Sequence, residues 1–214
     1  MGFTRDLAIV GGCGRVGLPL GIAFAEAGLT VTLYDHDDAA VDRVRAGKMP
    51  FREEGADQAL ERVTGSGALI ASTEPAVVSE AANVVIVVGT PVDEHLNPDP
   101  ESILRVVDAL LGHLVDGQLL VLRSTVYPGV TAMVDLRLRT ERRDVDVSFC
   151  PERIAEGRAL AELRELPHIV SGCSPRALQR AADLFRRLGG TIVELGVEEA
   201  ELAKLFTNTW RYVR

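Results

Sequence analysis

The sequence predicts a doubly wound α/β fold, a parallel sheet with helices packed on both faces. Three observations carry that prediction. Short apolar runs alternate with helical patterns along the whole chain, and a βαβ succession of this kind favours a parallel sheet. The first run, Leu7 to Val10, feeds the turn Gly11-Gly12-Cys13-Gly14-Arg15-Val16-Gly17. The second run ends at an acid, Asp35, 18 residues past Gly17. A Gly-x-Gly-x-x-Gly turn between strand and helix, with an acid about 20 residues further on, is the pattern of a Rossmann-like dinucleotide site.

Each element follows from local chemistry. In the turn, Gly12 is expected to permit the tight bend, Gly14 to let a pyrophosphate approach the backbone, and Gly17 to let helix pack on strand. The buried-helix pattern from Val16 to Ala25 offers its N-terminal N–H groups and partial positive charge to an anion. Thr30 to Tyr34 reads as the second strand, and Asp35 at its end is placed to accept hydrogen bonds from ribose hydroxyls. The next residues, His36-Asp37-Asp38, add negative charge and no arginine, so a 2′-phosphate is repelled and NAD is favoured over NADP.

Further on, Ala39 to Gly47 reads as a short helix, and residues 48–67 as a loop with one helix around Ala56 to Val63. Ala68 to Ser72 fits a third strand and Glu74 to Ala82 a helix. Asn83 to Val88 is a continuous apolar strand that ends in Gly89-Thr90-Pro91. Asp93 to Asp99 reads as a loop and Pro100 to Leu114 as a helix, with Pro100 tolerated in its first turn. Leu119 to Leu122 is a strand running into Arg123-Ser124-Thr125-Val126-Tyr127-Pro128-Gly129, with a helix from Thr131 to Thr140. Val145 to Phe149 alternates as a strand and leads to Cys150-Pro151-Glu152 and a long loop. His168 to Gly172, Pro175 to Leu188 and Thr191 to Leu195 read as strand, helix and strand, with a last helix from about Val197. The polar turns at strand ends thus gather along one edge, where open α/β sheets bind ligands.

Composition bounds the function. The 214 residues are 47% hydrophobic and 25% charged, enough for a full core. A net charge of −8 argues against nucleic acid and against anionic membrane surfaces. No apolar run approaches the roughly 20 residues that span a bilayer, and the first residues carry no signal-peptide pattern. Three scattered cysteines, Cys13, Cys150 and Cys173, suggest reduced thiols in a cytoplasmic protein, with no metal cluster expected.

A second constellation lies later in the chain. Glu152 and Glu156 are four residues apart past a strand end and face the same way if the segment turns helically. A carboxylate there acts as a base or holds a water; the alternative is two solvated loop acids. The Ser124-Thr125 hydroxyls suit a water or a nicotinamide, or else a cap for the helix after Pro128. In the last helix, Leu202, Leu205, Phe206, Thr209 and Val213 form one stripe, expected to be core. Glu201, Lys204, Asn208 and Arg211 form the other, either solvated or projecting Lys204 and Asn208 into a cleft where an ammonium stabilises an oxyanion.

Five motifs in order resemble the UDP-glucose/GDP-mannose dehydrogenase family over its N-terminal NAD-binding part. They are Gly12-x-Gly14-x-Val16-Gly17 with Leu18-Pro19, Gly89-Thr90-Pro91, Ser124-Thr125-Val126-x-Pro128-Gly129, Cys150-Pro151-Glu152-Arg153-Ile154-Ala155-Glu156-Gly157, and Lys204-Leu205-x-x-Asn208. Leu166-Pro167-His168-Ile169-Val170 adds likeness to the branch acting on UDP-N-acetylhexosamines. The resemblance implies NAD-dependent, two-step oxidation of a UDP-sugar C6 alcohol, of UDP-N-acetylmannosamine or UDP-glucose type, through an aldehyde and a cysteine thioester to the carboxylate. It implies that Thr125 and Glu152 hold and activate water, and that Glu156 touches cofactor or substrate. Lys204 stabilises the oxyanion, Asn208 assists it and orients the sugar, and Thr90 and Thr125 flank the nicotinamide. Arg15 departs from the aromatic or small residue frequent in the family; it reaches for the pyrophosphate or stays solvated.

The resemblance further implies a Rossmann-like domain over residues 1–196 and the start of a long central interdomain helix over 197–214. The resemblance also implies that the nucleophilic cysteine and a UDP-binding domain lie downstream; none of Cys13, Cys150 and Cys173 matches the nucleophile's motif. The expectation is a chain that binds NAD without forming sugar acid by itself, with a homodimer through the central helix in the full-length protein. Two other readings stand beside it: a hydroxyacid-type Rossmann dehydrogenase, and a non-catalytic NAD-binding module. The first usually needs a histidine base. Of His36, His95, His113 and His168, only His36 sits at a promising strand end.

Overall fold

The computed structural model describes residues 2–89, 99, 101–155 and 157–213. Expectations placed on Thr90, Pro91, Asp93, His95, Pro100 and Glu156 lie outside the described residues.

Six parallel strands make the main sheet: β1 (Arg5–Val10), β2 (Val31–Tyr34), β3 (Leu69–Ser72), β4 (Ala81–Ile86), β5 (Leu119–Leu122) and β6 (Asp146–Phe149). Their order is β3-β2-β1-β4-β5-β6. The chain therefore reverses direction across the sheet between β1 and β4, the crevice where doubly wound folds bind dinucleotides. Register is set by the apolar runs. Leu7 to Val10 pair with Val31 to Tyr34 on one side and with Asn83 to Ile86 on the other. A second, two-stranded parallel sheet joins β7 (His168–Val170) and β8 (Ile192–Glu194).

Helices cover both faces. On one, α1 (Gly17–Glu26) is buried from Gly17 to Ala25, which explains why it is apolar all round. It shares a core with Leu33, Leu60 from α3 (Ala56–Gly65), and Phe185 from α7 (Pro175–Arg186). α2 (Asp38–Arg45) begins at Asp37, whose carboxylate caps the Ala40 N–H. On the other face, α4 (Ser102–Leu110) buries Ile103, Val107 and Leu110, and α5 (Val130–Thr140) buries Val130, Val134 and Leu138, all at helical spacing.

Three local readings are corrected. Residues 74–82 are not a helix: a 3₁₀ turn spans Pro75–Glu80 and β4 already begins at Ala81. The buried Gln118 amide donates to the Val78 and Ala81 carbonyls at 2.8 Å each, giving them a partner other than a following helical turn. The long loop after β6 contains α6 (Ala159–Glu165), too short for its apolar residues Leu160 and Leu163 to show a period. In α8 (Val197–Val213) the faces are reversed. Glu201 is 0% exposed and Lys204 9%, while Leu202, Phe206 and Trp210 lie 41%, 71% and 61% exposed. The polar stripe has polar partners on the domain and so packs inward.

Candidate functional site

The glycine turn is built by close contact. Gly11 holds φ of +76°, and a Cβ there would stand 2.3 Å from the Val87 carbonyl oxygen. The tight-bend role assigned to Gly12 therefore belongs to Gly11. Gly12 serves strand proximity instead, because its Cβ would meet Leu33 Cβ at 2.7 Å. At Gly17 a Cβ would lie 2.3 Å from the Gly11 oxygen, so this glycine lets α1 start directly against the turn. Gly14 differs. Its Cβ would meet only the Gly11 oxygen, at 3.4 Å, so its outer side is open.

Val16 is the N-cap of α1, with no side-chain cap and no acid in the first turn. The positive helix end is thus not neutralised locally. Arg15 is exposed, its guanidinium 5.4 Å from the centre of the Phe51 ring. Asp35 stands at the end of β2, 8% exposed. One carboxylate oxygen accepts the Cys13 N–H at 2.9 Å and the other accepts the Asp37 N–H at 3.2 Å. The Asp35 carboxylate is thereby fixed to the glycine turn. Between β1 and β4 lies a cleft of about 350 Å³ lined by Gly11, Gly14, Asp35, His36, Val88 and Leu110 among others. An open backbone at Gly14, an uncapped helix end and a seated carboxylate fit the pyrophosphate and ribose of a dinucleotide.

The second constellation is assembled at the ends of β5 and β6. Ser124 is buried and joins neighbouring strand ends, donating to the Val88 carbonyl at 2.7 Å and accepting the Val88 N–H at 2.9 Å. It does not cap α5. That cap comes from Glu201, which accepts the Gly129 N–H at 2.7 Å, the Thr131 N–H at 2.9 Å and the Thr131 hydroxyl at 2.6 Å. Thr125 is half-buried, and its hydroxyl bonds to no other described residue.

Glu152 is 7% exposed rather than solvated. Arg123, 2% exposed, donates to one of its oxygens through Nε at 2.8 Å and Nη2 at 2.5 Å. The other oxygen accepts the N–H groups of Arg153 at 2.5 Å and Ile154 at 2.7 Å. Arg123 also donates to the Cys150 carbonyl at 3.1 Å and lies 4.9 Å from the centre of the Phe185 ring. Residues 152–155 are not helical. Lys204 donates from Nζ to the Glu152 carbonyl, and Asn208 stands one turn further along α8, half-buried. Thr125, Glu152 and Lys204 are thus carried by three adjoining segments.

The sequence pattern does not single out Arg123 or Glu53, and marks Glu201 only as part of the polar stripe of α8. Buried charged groups that bind partners far along the chain leave no local spacing to read. All three thiols are held protonated. Burial first, then Asp35, pushes Cys13 up to about 12. Burial pushes Cys150 up to about 11. Burial and then Asp135 push Cys173 up to about 12. Burial and then Arg123 hold His168 down at about 4. Among the described residues, no group of three or more His, Cys, Asp or Glu is placed to hold a metal ion, and no helix is long and apolar enough to cross a membrane.

Fold and turn together define a Rossmann-type dinucleotide-binding domain. The comparisons narrow this. The chain belongs to the UDP-glucose/GDP-mannose dehydrogenase family: residues 6–189 match its NAD binding domain. It is 31% identical to the UDP-N-acetyl-D-mannosamine dehydrogenase of Methanococcus aeolicus, covering 94% of this chain and 47% of that protein. It is 31% identical to the NDP-N-acetyl-D-galactosaminuronic acid dehydrogenase of Ralstonia nicotianae, covering 98% and 52%. The structure of the UDP-D-ManNAc dehydrogenase from Pyrococcus horikoshii superposes with a TM-score of 0.90 at 29% identity, over 96% of this chain and 50% of that one. The chain spans about half the length of these relatives.

Proposed function

We propose that this chain is the cofactor-binding part of an NAD-dependent nucleotide-sugar 6-dehydrogenase. The carrying observation is the cleft at the β1/β4 crossover, where Gly14 is open and Asp35 is fixed by the Cys13 N–H. When bound there, NAD supplies a hydride acceptor for the C6 alcohol of a UDP-sugar. The turn Gly11 to Gly17 and the start of α1 hold the pyrophosphate, with Arg15 beside it, and Asp35 holds the adenosine ribose. With Asp35, His36, Asp37 and Asp38 around that ribose, a 2′-phosphate is disfavoured and NADP is the weaker ligand.

Thr125, Lys204 and Asn208 are assigned to face nicotinamide and sugar. Lys204 supplies the positive charge for an oxyanion. Thr90 and Glu156 are kept as cofactor contacts from the resemblance alone. Glu152 is assigned in this arrangement to hold its segment, since both its oxygens are engaged; activating a water requires it to give up one of those partners. No cysteine here is assigned as the thioester nucleophile, because burial raises all three thiols well above neutral pH. Residues 1–196 are taken as the cofactor domain and 197–214 as the start of a connecting helix. Its exposed Leu202, Phe206 and Trp210 support a homodimer through that helix. A cytoplasmic location follows from soluble nucleotide-sugar substrates.

Calorimetric titration with NAD, NADP and a UDP-N-acetylhexosamine tests the proposal. Saturable NAD binding with NADP at least about tenfold weaker is expected from the missing phosphate partner. Failure of NAD to bind overturns the reading. A hydroxyacid-type dehydrogenase is disfavoured because His168, the one buried histidine among the described residues, packs against Phe185, and His36, which lines the cleft, is solvent-exposed beside Asp35 at the end assigned to the adenosine ribose.

A further inference from the structure

We infer that Glu53 is a positioning residue that registers the segment after β6 against the cofactor-side loop. Glu53 is 4% exposed and lies more than 100 residues before the groups it binds. One of its carboxylate oxygens accepts the Gly157 N–H at 2.9 Å and the other the Ala159 N–H at 2.6 Å. The adjoining Glu54 N–H donates back to the Gly157 carbonyl at 3.3 Å. The segment is thereby pinned at both ends. At its near end Glu152, itself held by Arg123, takes the Arg153 and Ile154 N–H groups. Glu162 takes the Ala155 N–H at 2.6 Å. Glu53 takes the far end.

The choice of group argues for more than a cap. A helix start is ordinarily capped by a Ser, Thr, Asp or Asn at its own N-cap. The N-cap of α6 is Arg158, whose side chain makes no cap bond. A buried carboxylate from a distant loop does the work instead, and so couples two loops that would otherwise move separately. The loop that supplies it also carries Phe51, which packs on the core and lies under the Arg15 guanidinium of the glycine turn. Arg15 on Phe51, and Glu53 two residues further along the same loop on Gly157, thus link the proposed pyrophosphate position to the segment that holds Glu152 and receives Lys204. This inference rests on the proposed NAD site.

The test is amide hydrogen exchange on the whole chain, wild type and Glu53→Gln, with and without NAD, beside a calorimetric NAD titration and a thermal melt. Losing a charge-assisted pair of hydrogen bonds should speed exchange at Gly157 and Ala159 by about tenfold or more without ligand. NAD should slow these two amides in the wild type and not in the variant, while the main sheet exchanges as before. Glu53→Asp, too short to reach both amides, gives the same local reading if the Gln variant does not fold. Unchanged exchange at Gly157 and Ala159, or an even rise across the whole chain, overturns the inference. A wild type that takes up no NAD overturns the functional reading and the link to cofactor, while the ligand-free arm still reads the Glu53 contact.

Discussion

Substituting Gly14 by alanine should separate cofactor binding from folding. A Cβ at Gly14 meets a single neighbour, the Gly11 oxygen at 3.4 Å, and the residue does not hold a positive φ. Stability should therefore change by no more than about 0.5 kcal/mol, as at an unstrained surface position. The same methyl group stands where the proposed site places the pyrophosphate. Overfilling a close-packed contact costs about 1–3 kcal/mol, and 1.4 kcal/mol is tenfold in affinity. NAD should therefore bind roughly 5- to 150-fold more weakly. Gly17→Ala is the control. Its Cβ would lie 2.3 Å from the Gly11 oxygen and 2.8 Å from Gly12 Cα, both backbone, so the fold itself must shift. That variant should lose about 1–3 kcal/mol of stability by the same overpacking. Calorimetric Kd values and urea unfolding of both variants provide the assay. Gly14→Ala with a Kd within about twofold of wild type, or with the larger stability loss of the two, would refute the reasoning.

Arg123→Ala leaves Glu152 buried without its cation and should destabilise by about 3–5 kcal/mol in urea unfolding; a loss near that of a surface substitution would show the pair to be solvated. His168 is held neutral down to about 4 in the native state by burial and Arg123, against 6.5 when exposed. The unfolded chain thus takes up a proton first, so stability is complete above about pH 6.5 and falls by on the order of 3 kcal/mol as pH drops towards 4. Unfolding free energy measured across this range should fall with pH in the wild type and show a smaller fall in His168→Asn. Asp35→Asn should narrow the preference for NAD over NADP in paired titrations, because the charge that repels a 2′-phosphate is reduced.

The fold was legible because parallel strands buried on both faces leave unbroken apolar runs. The apolar run of β5 coincides with the strand, and those of β1, β2 and β6 lie within one or two residues of theirs. The glycine turn was legible because its spacing is local, yet the roles inside it were not all assigned correctly: only the contact of Gly11 with Val87 shows which glycine makes the bend. The α8 pattern misleads for a physical reason. An apolar stripe is assumed to pack inward, but here Glu201 and Lys204 meet backbone groups of α5 and of the Glu152 segment, and those bonds hold the polar face inward. Glu53 was invisible for the same reason, its partners lying beyond any sequence window.

The most direct measurement is an NMR titration of the whole chain with NAD, reading backbone amide shifts. Saturable shifts centred on Gly11 to Gly17 and on Asp35 to Asp37, with a further response at Gly89, are predicted from the cleft between β1 and β4. Saturation with shifts centred elsewhere, or no saturable response, would contradict the assignment of this cleft as the cofactor site.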